Sequence, residues 1–340
     1  MNKNLKTYGL LLIPLGIGLS LGYFSAYKIQ KNKDQALFDS IRPVRLNSEN
    51  FKYINPLLGY SIPSSKEFQE FKPLNDKISS YISAQTKQDN TTKISVYFRD
   101  LNKGRWIGIN ENEKYDPASM LKVVIMVAFY KEAENNPEIL SKKIDYNKSL
   151  DEIIKDVPYQ TPSTLQVGQS YSTDNLIEKM IINSDNGAKN ALLANIDNSS
   201  LRDVYTDLGI DPPSDTDSNY KISAKAYSSF FRILYNATYL TPALSEKALN
   251  LLSQAEFNEG LVAGVPTGTK VSQKFGEHVN TDSSGQSTST ELHDCGIVYL
   301  PNNPYALCIM TEGQDINNLE KIIRDISSLV YKNVTSNYQN

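Results

Sequence analysis

Three pairs in the 340-residue chain place a serine three positions ahead of a lysine: Ser25/Lys28, Ser119/Lys122 and Ser218/Lys221. On a helix such a pair can carry out nucleophilic chemistry, provided the amine is neutral enough to take the hydroxyl's proton. Their surroundings separate the three. Ser25 ends an apolar run, and Ser218 closes the polar stretch Asp211-Pro-Pro-Ser-Asp-Thr-Asp-Ser218. Ser119 follows Pro117-Ala118 and opens a run in which Leu121, Val123, Val124, Ile125, Met126, Val127, Ala128 and Phe129 make a helix apolar on nearly every side. Such a helix belongs in a core; its first turn puts the Ser119 hydroxyl at the positive end of the helix dipole, with Lys122 on the same face. Burial disfavours an ammonium, so Lys122 is expected to shift toward its neutral form and to accept the Ser119 proton. Taken alone, the pair reads as a helix-opening serine followed by a lysine that snorkels to solvent.

Two further elements give it company. Ser184-Asp185-Asn186 follows the apolar helical stretch Leu176-Ile-Glu-Lys-Met-Ile-Ile182, and Lys274-Phe275-Gly276 lies on a strand-like run. In this order the motifs resemble those of the penicillin-recognising serine hydrolases, class A β-lactamases in particular, which carry S-x-x-K, S-D-N and K-T-G. The flanks agree: Pro117-Ala-Ser-Met-Leu-Lys122, Ser184-Asp-Asn-Gly-Ala-Lys-Asn-Ala-Leu-Leu193 and Ala263-Gly-Val-Pro-Thr-Gly-Thr-Lys-Val-Ser-Gln-Lys274. The resemblance covers roughly residues 75 to 333. It implies that Ser119 is the acylated nucleophile, Lys122 its proton acceptor and Ser184 a relay toward the leaving nitrogen. Asn186 would hold the substrate amide and the Lys122 amine, and Lys274 would bring positive charge near Ser184 and a substrate carboxylate. Gly276 and Glu277 would line the substrate, the backbone N–H groups of Ser119 and Glu277 forming the oxyanion hole. Asp185 would be structural, and no metal or cofactor would be needed. The implied partner is a small-molecule β-lactam or a cell-wall peptide.

Two departures bear on activity. The threonine of K-T-G is Phe275, which removes a hydroxyl that would bond a substrate carboxylate and adds a ring that alters which acyl donors fit. Class A enzymes also carry a deacylating Glu on a loop after S-D-N, whereas no Glu occurs here between Asn186 and Glu246. The corresponding loop, Leu208-Gly-Ile-Asp-Pro-Pro-Ser-Asp-Thr-Asp217, offers only Asp211, Asp215 and Asp217, which suit turns and helix caps. Three readings result: a β-lactamase-like hydrolase deacylated by Asp215 or Asp217 or by a Lys122-assisted water, a peptidoglycan D,D-peptidase or transpeptidase-like acyl-enzyme, or a weakly active binding module on the same fold.

The elements that must position these residues follow from periodicity. A helical pattern at Leu74, Ile78, Tyr81 and Ile82 precedes strand-like runs at Lys93–Arg99 and Arg105–Asn110. From Asn135 to about Leu249 the period is helical. Strand signals return at Val271–Lys274, Gly296–Leu300 and Ala306–Met310, before a closing amphipathic helix through Leu319, Ile322, Ile323, Ile326, Leu329 and Val330. This order predicts a mixed α/β fold of the α+β type: an antiparallel sheet flanked by N- and C-terminal helices, with an inserted all-α lobe. The folded domain is expected over 71–335, its α/β lobe about 71–134 and 250–335 and its all-α lobe about 135–249.

Ahead of it, Tyr8 to Tyr27 is a run of 20 uncharged residues between lysines, long enough to span a bilayer. Residues 1–33 are read as a membrane anchor, with a cleaved signal segment as the rival, and 34–70 as a linker. The domain would then lie outside the cytoplasm on a single-pass anchor. A net charge of -3 offers no basic field for nucleic acid. Only two histidines, His278 and His293, exclude multi-histidine zinc sites, and His278, just after the Lys274 strand, is expected in a turn in preference to lining the site. Cys295 and Cys308 flank a hairpin-like stretch, and as small apolar side chains they are expected free and buried in preference to bonded.

Overall fold

The computed structural model describes Lys28 and residues 51–56, 71–88, 92–147, 158–159, 163–214 and 220–337. The chain divides into Met1–Val44 and Arg45–Asn340, and every described residue except Lys28 lies in the second unit. The apolar run Tyr8–Tyr27, Asp215 and Asp217 lie outside the described residues. Among the described residues, no helix is long and apolar enough to cross a membrane.

Five strands form one antiparallel sheet: β1 (Lys93–Asp100), β2 (Trp106–Ile109), β7 (Val271–Thr281), β8 (Ser287–Val298) and β9 (Tyr305–Gly313), in the order β2-β1-β9-β8-β7. Both of its faces are covered, which is why the inner strands read as continuous apolar runs. Odd-numbered residues of β9, Leu307 and Ile309, face a cluster with Leu74 and Ile78 of α1 (Lys72–Gln88) and Leu319, Ile322, Ile323 and Ile326 of α8 (Ile316–Asn337). Even-numbered residues, Ala306, Cys308 and Met310, face the helical lobe. The sheet between two terminal helices and an inserted helical lobe is the architecture the periodicity predicts.

At the centre of that lobe runs α2, Lys122–Ala133, in which every residue from Val123 to Tyr130 is buried. The apolar circumference seen in the sequence is therefore used on all sides. Around it stand α3 (Thr173–Ile182), α4 (Asn186–Leu193), α5 (Asn198–Thr206), α6 (Ala224–Asn236) and α7 (Pro242–Leu252). Short two- and three-residue strand pairs, β3 (Lys114–Tyr115) with β6 (Ile222–Ser223) and β4 (Lys143–Asp145) with β5 (Ser170–Ser172), stitch its rim.

The structure corrects three expectations. Cys295 and Cys308 stand opposite each other on β8 and β9 and form a disulfide. Both are buried, as expected, but direct cross-strand register also brings the two thiols together. His278 sits on β7, not in a turn, because the strand continues past Lys274 to Thr281. Within the stretch read as a linker, residues 51–56 pack into the folded body: Tyr53 and Ile54 are buried, and Asn55 N–H donates to the Tyr235 carbonyl at 2.8 Å. What draws this segment in is one carboxylate. Glu246 on α7 accepts the backbone N–H groups of Lys52 (2.7 Å), Tyr53 (2.9 Å) and Ile54 (2.9 Å).

Hydrogen bonds to a charged acceptor each contribute about 1.5–3 kcal/mol net when they are well formed. Glu246→Ala is expected to cost roughly 2 kcal/mol or more in urea denaturation of the full chain. A variant as stable as the parent would mean that the docked segment adds nothing to the fold.

Candidate active site

The nucleophile turn is built before the helix starts. Residues Ala118–Leu121 form a 3₁₀ turn leading into α2, and Ala118 has φ 46°, a left-handed conformation that strains a residue with a Cβ. The turn is held from behind. Asp116 Oδ1 accepts Ala118 N–H at 2.8 Å, Met120 N–H donates to the Pro117 carbonyl at 2.9 Å, and Tyr227 Oη on α6 donates to the Met120 carbonyl at 2.8 Å.

Asp116 is itself fixed by the sheet, through two residues that no motif in the sequence singles out. Glu291 Oε2 accepts Asp116 N–H at 2.9 Å, and His293 Nε2 lies 3.0 Å from the Asp116 carbonyl and 3.2 Å from Glu291 Oε2. The Thr311 N–H donates to His293 Nδ1 at 3.2 Å, so the neutral ring carries its proton on Nε2 and donates it toward Asp116 and Glu291. Burial pushes the Glu291 carboxyl up, but its hydrogen bonds with His293, Asn280 and Asp116 N–H outweigh that and hold it below the usual range. His278 Nδ1 lies 3.8 Å from Asp116 Oδ2.

Gly276 also acts on this turn. A Cβ there would lie 2.5 Å from the Pro117 carbonyl oxygen and 2.9 Å from Met120 Cγ, so only glycine lets β7 press against the nucleophile turn. The family resemblance puts Gly276 against substrate. The structure shows that it also sets the distance between strand and nucleophile.

Ser184 stands in the gap between α3 and α4 with φ 56°. Asp185 caps α4: its Oδ1 accepts Ala188 N–H at 2.9 Å, and its Oδ2 accepts Ser163 Oγ and Thr164 N–H, both at 2.9 Å. This is the structural role the resemblance implies for Asp185. With the cap fixed, the neighbours on either side turn toward α2.

Lys122 meets them. Its Nζ lies 3.0 Å from Ser119 Oγ, 2.5 Å from the Ser184 carbonyl, 3.0 Å from Ser184 Oγ and 2.7 Å from Asn186 Oδ1. Lys122 is 1% exposed, but its pocket is polar where the sequence suggests an apolar one. An ammonium has three N–H bonds for these four oxygens. A neutral amine would keep its two N–H bonds on the closest acceptors, the Ser184 carbonyl and Asn186 Oδ1, and turn its lone pair to Ser119.

Lys274 reaches Ser184 from the other side, its Nζ 3.0 Å from Ser184 Oγ. It is fully buried, and burial draws its pKa down to about 7, with Asp294 opposing. Asp294 on β8 is fully buried as well, and burial pushes its carboxyl up to about 7. One hydroxyl is thus shared by two amines, one of which changes charge near neutrality. That arrangement suits a proton relay.

Phe275 is less intrusive than its size suggests. Its ring is 9% exposed, stacked on Phe257 with centroids 4.3 Å apart and met edge-on by Tyr159 at 6.0 Å; Lys274 Nζ lies 4.3 Å from its centroid. The Glu277 side chain is engaged too: Oε2 accepts Tyr159 N–H at 3.0 Å, and burial raises its pKa to about 7. Asp211 is exposed, and its carbonyl accepts the Tyr220 hydroxyl at 2.9 Å.

The sequence matches the profile of the β-lactamase enzyme family over residues 73–334. The chain belongs to that family. Its fold is shared with solved structures: PBP-A (20% identity, 78% of this chain and 97% of that one, TM-score 0.63) and a variant of the last common ancestor of Gram-negative class A β-lactamases (22%, 77% and 100%, 0.64). A β-lactamase from Xanthomonas campestris is similar again (19%, 76% and 98%, 0.64). At these identities the likeness is one of fold. No curated protein sequence matches. Family and fold support a serine hydrolase-like enzyme, and the residues brought together are Ser119, Lys122, Ser184, Asn186 and Lys274.

The charges of the site change together. As pH rises through about 7, Lys274 loses its proton and Glu277 gains a negative charge, and both changes disfavour an anionic acyl donor. Acylation of Ser119 by a carboxylate-bearing donor, relative to an uncharged analogue, is expected to fall roughly tenfold between about pH 6 and 8. Asp294→Asn removes a negative neighbour that raises Lys274, so the Lys274 part of the fall should begin at lower pH. Stopped-flow acylation across this range checks both; a flat ratio would contradict the charge assignments.

Proposed function

We propose that this protein is an extracytoplasmic serine hydrolase that is acylated at Ser119 by a β-lactam amide and releases the product slowly. The observation that carries the reading is the contact of Lys122 Nζ with Ser119 Oγ, Ser184 and Asn186 together. Lys122 takes the Ser119 proton as Oγ attacks the carbonyl carbon. The developing oxyanion faces the backbone N–H groups of Ser119 and Glu277. When the C–N bond breaks, the proton passes from Lys122 through Ser184 Oγ to the leaving nitrogen, with Lys274 countering charge on the far side. Hydrolysis of the ester then relies on a water activated without a glutamate.

The lack of that glutamate also favours a second reading, a peptidoglycan D,D-peptidase or transpeptidase-like acyl-enzyme. A structure of a point mutant of PBP-A is described as an acyl-enzyme complex with penicillin G, and this chain matches its fold with a TM-score of 0.63 at 20% identity.

Incubating the full chain with penicillin should give a mass increase of one penicillin, localised to Ser119 and absent in Ser119→Ala. An adduct lasting hours supports slow release or the peptidase-like reading; rapid loss with ring-opened product supports an efficient β-lactamase. No adduct at high concentration leaves only a binding module.

The location rests on two supports. Tyr8–Tyr27 has the length and character of a membrane anchor, and the Cys295–Cys308 disulfide is a bond that persists in oxidising compartments. Intact mass of the protein extracted from membranes should begin at the N-terminal methionine. A mass lacking the apolar run would replace the anchor with a cleaved signal.

A further inference from the structure

We infer that Glu277 sets the substrate class of the Ser119 site, selecting acyl donors that present an N–H group, a carboxamide or a protonated amine, where a carboxylate would otherwise lie beside the scissile amide. This rests on the acylation reading above, in which Glu277 N–H faces the carbonyl oxygen. A residue whose backbone touches the reacting carbonyl has its own side chain within a few ångströms of the donor's neighbouring groups.

The side chain is unusual in what it lacks. Glu277 is 9% exposed; Oε2 is taken by Tyr159 N–H at 3.0 Å, while Oε1 is buried with no hydrogen-bond partner. A buried carboxylate oxygen without a donor is costly, and such groups call for a partner from outside the fold. No lysine or arginine pairs with Glu277 among the described residues. A second carboxylate, Glu320 on α8, accepts the Tyr159 hydroxyl and adds negative charge to the same corner.

Strand alternation places Phe275 on the same side of β7 as Glu277, while Lys274 and Gly276 face the nucleophile turn and Ser184. Phe275 brings a ring held by Phe257 and Tyr159 and no hydroxyl. An entering carboxylate therefore meets an anion and an aromatic ring on this side, with no side-chain donor from either position. A rotation of the Glu277 side chain, which is 9% exposed, would bring Oε1, an acceptor with no other partner, to an entering N–H. Above about pH 7 Lys274 does not offset this, because it loses its proton as Glu277 gains its charge; its amine lies 3.0 Å from Ser184 Oγ and 4.3 Å from the Phe275 ring centroid.

The test compares two probes that differ at one group: penicillin G and its carboxamide. Rates of Ser119 acylation in the full chain are read by intact mass at about pH 8, above the point near 7 where Glu277 ionises. The carboxamide is expected to react about tenfold faster than penicillin G in the parent, from removal of like-charge repulsion and gain of a donor. Glu277→Gln should bring the two rates together, mainly by speeding penicillin G, while Glu277→Asp, which keeps the charge, should keep the preference. Each ratio is internal to one protein, so a loss of folded material in a variant does not distort it, and the parent's ratio alone decides if Glu277→Gln does not fold. Equal rates or a preference for penicillin G in the parent, or the same ratio in parent and Glu277→Gln, overturns the assignment. No Ser119 adduct from either probe overturns the acylation reading itself.

Discussion

A buried amine surrounded by oxygens is the constraint around which the rest is arranged. Lys122 Nζ stands within 3.0 Å of Ser119, Ser184 and Asn186, and a cation in such a place is tolerated only when its hydrogen bonds are complete. That requirement reaches across the fold. The helix carrying Lys122 must be buried so that its first turn is shielded from water. The chain between α3 and α4 must pass through a left-handed residue, Ser184, so that a carbonyl, a hydroxyl and an amide arrive together. Asp185 stabilises that passage by capping α4 and tying down Ser163 and Thr164.

The sheet supplies the opposite wall and a fixed separation. β7 is an edge strand, so one of its sides is free of strand pairing, and Gly276 lets it close on the turn before Ser119. Behind the same turn, Asp116, Glu291 and His293 form a set whose donors and acceptors match: Thr311 N–H fixes the ring, and the ring fixes the Asp116 carbonyl. The strain at Ala118 persists because these contacts over-determine it. Across the sheet from Lys274 come Cys295 and then Cys308 in register, so the disulfide links the two strands next to the one that carries the second lysine.

The part of the molecule legible in the sequence is the part governed by local pattern. The all-round apolarity of Leu121–Phe129 identifies the central helix, and its first turn singles out Ser119 and Lys122 from two other matches. Ser184-Asp-Asn and Lys274-Phe-Gly place the remaining groups. What stays hidden depends on long-range register. Glu291 and His293 lie 175 and 177 positions from Asp116, and nothing in their spacing links them to it. The same is true of Glu246 gathering residues 52–54, some 192 to 194 positions away, which makes a docked segment look like a linker. The cysteine pairing is partly legible: the hairpin-like stretch puts one cysteine on each arm, but their direct opposition is set by where the turn falls.

The departures from the family pattern gain coherence when they are taken together. A threonine replaced by Phe275 looks like the loss of one hydrogen bond, and Glu277 looks like a neutral choice at a position used through its backbone. The structure joins them through Tyr159, which packs its ring on Phe275 and gives its N–H to Glu277. A hydroxyl at position 275 would break the stack with Phe257, and a small residue at 277 would leave the Tyr159 N–H without its acceptor. The two changes therefore support each other physically. The machinery that would activate Ser119 keeps the family's residues, while the surface beside Glu277 differs in charge and shape. Retained activation chemistry with an altered wall is the arrangement expected of a site that attacks the same kind of bond in a different acyl donor.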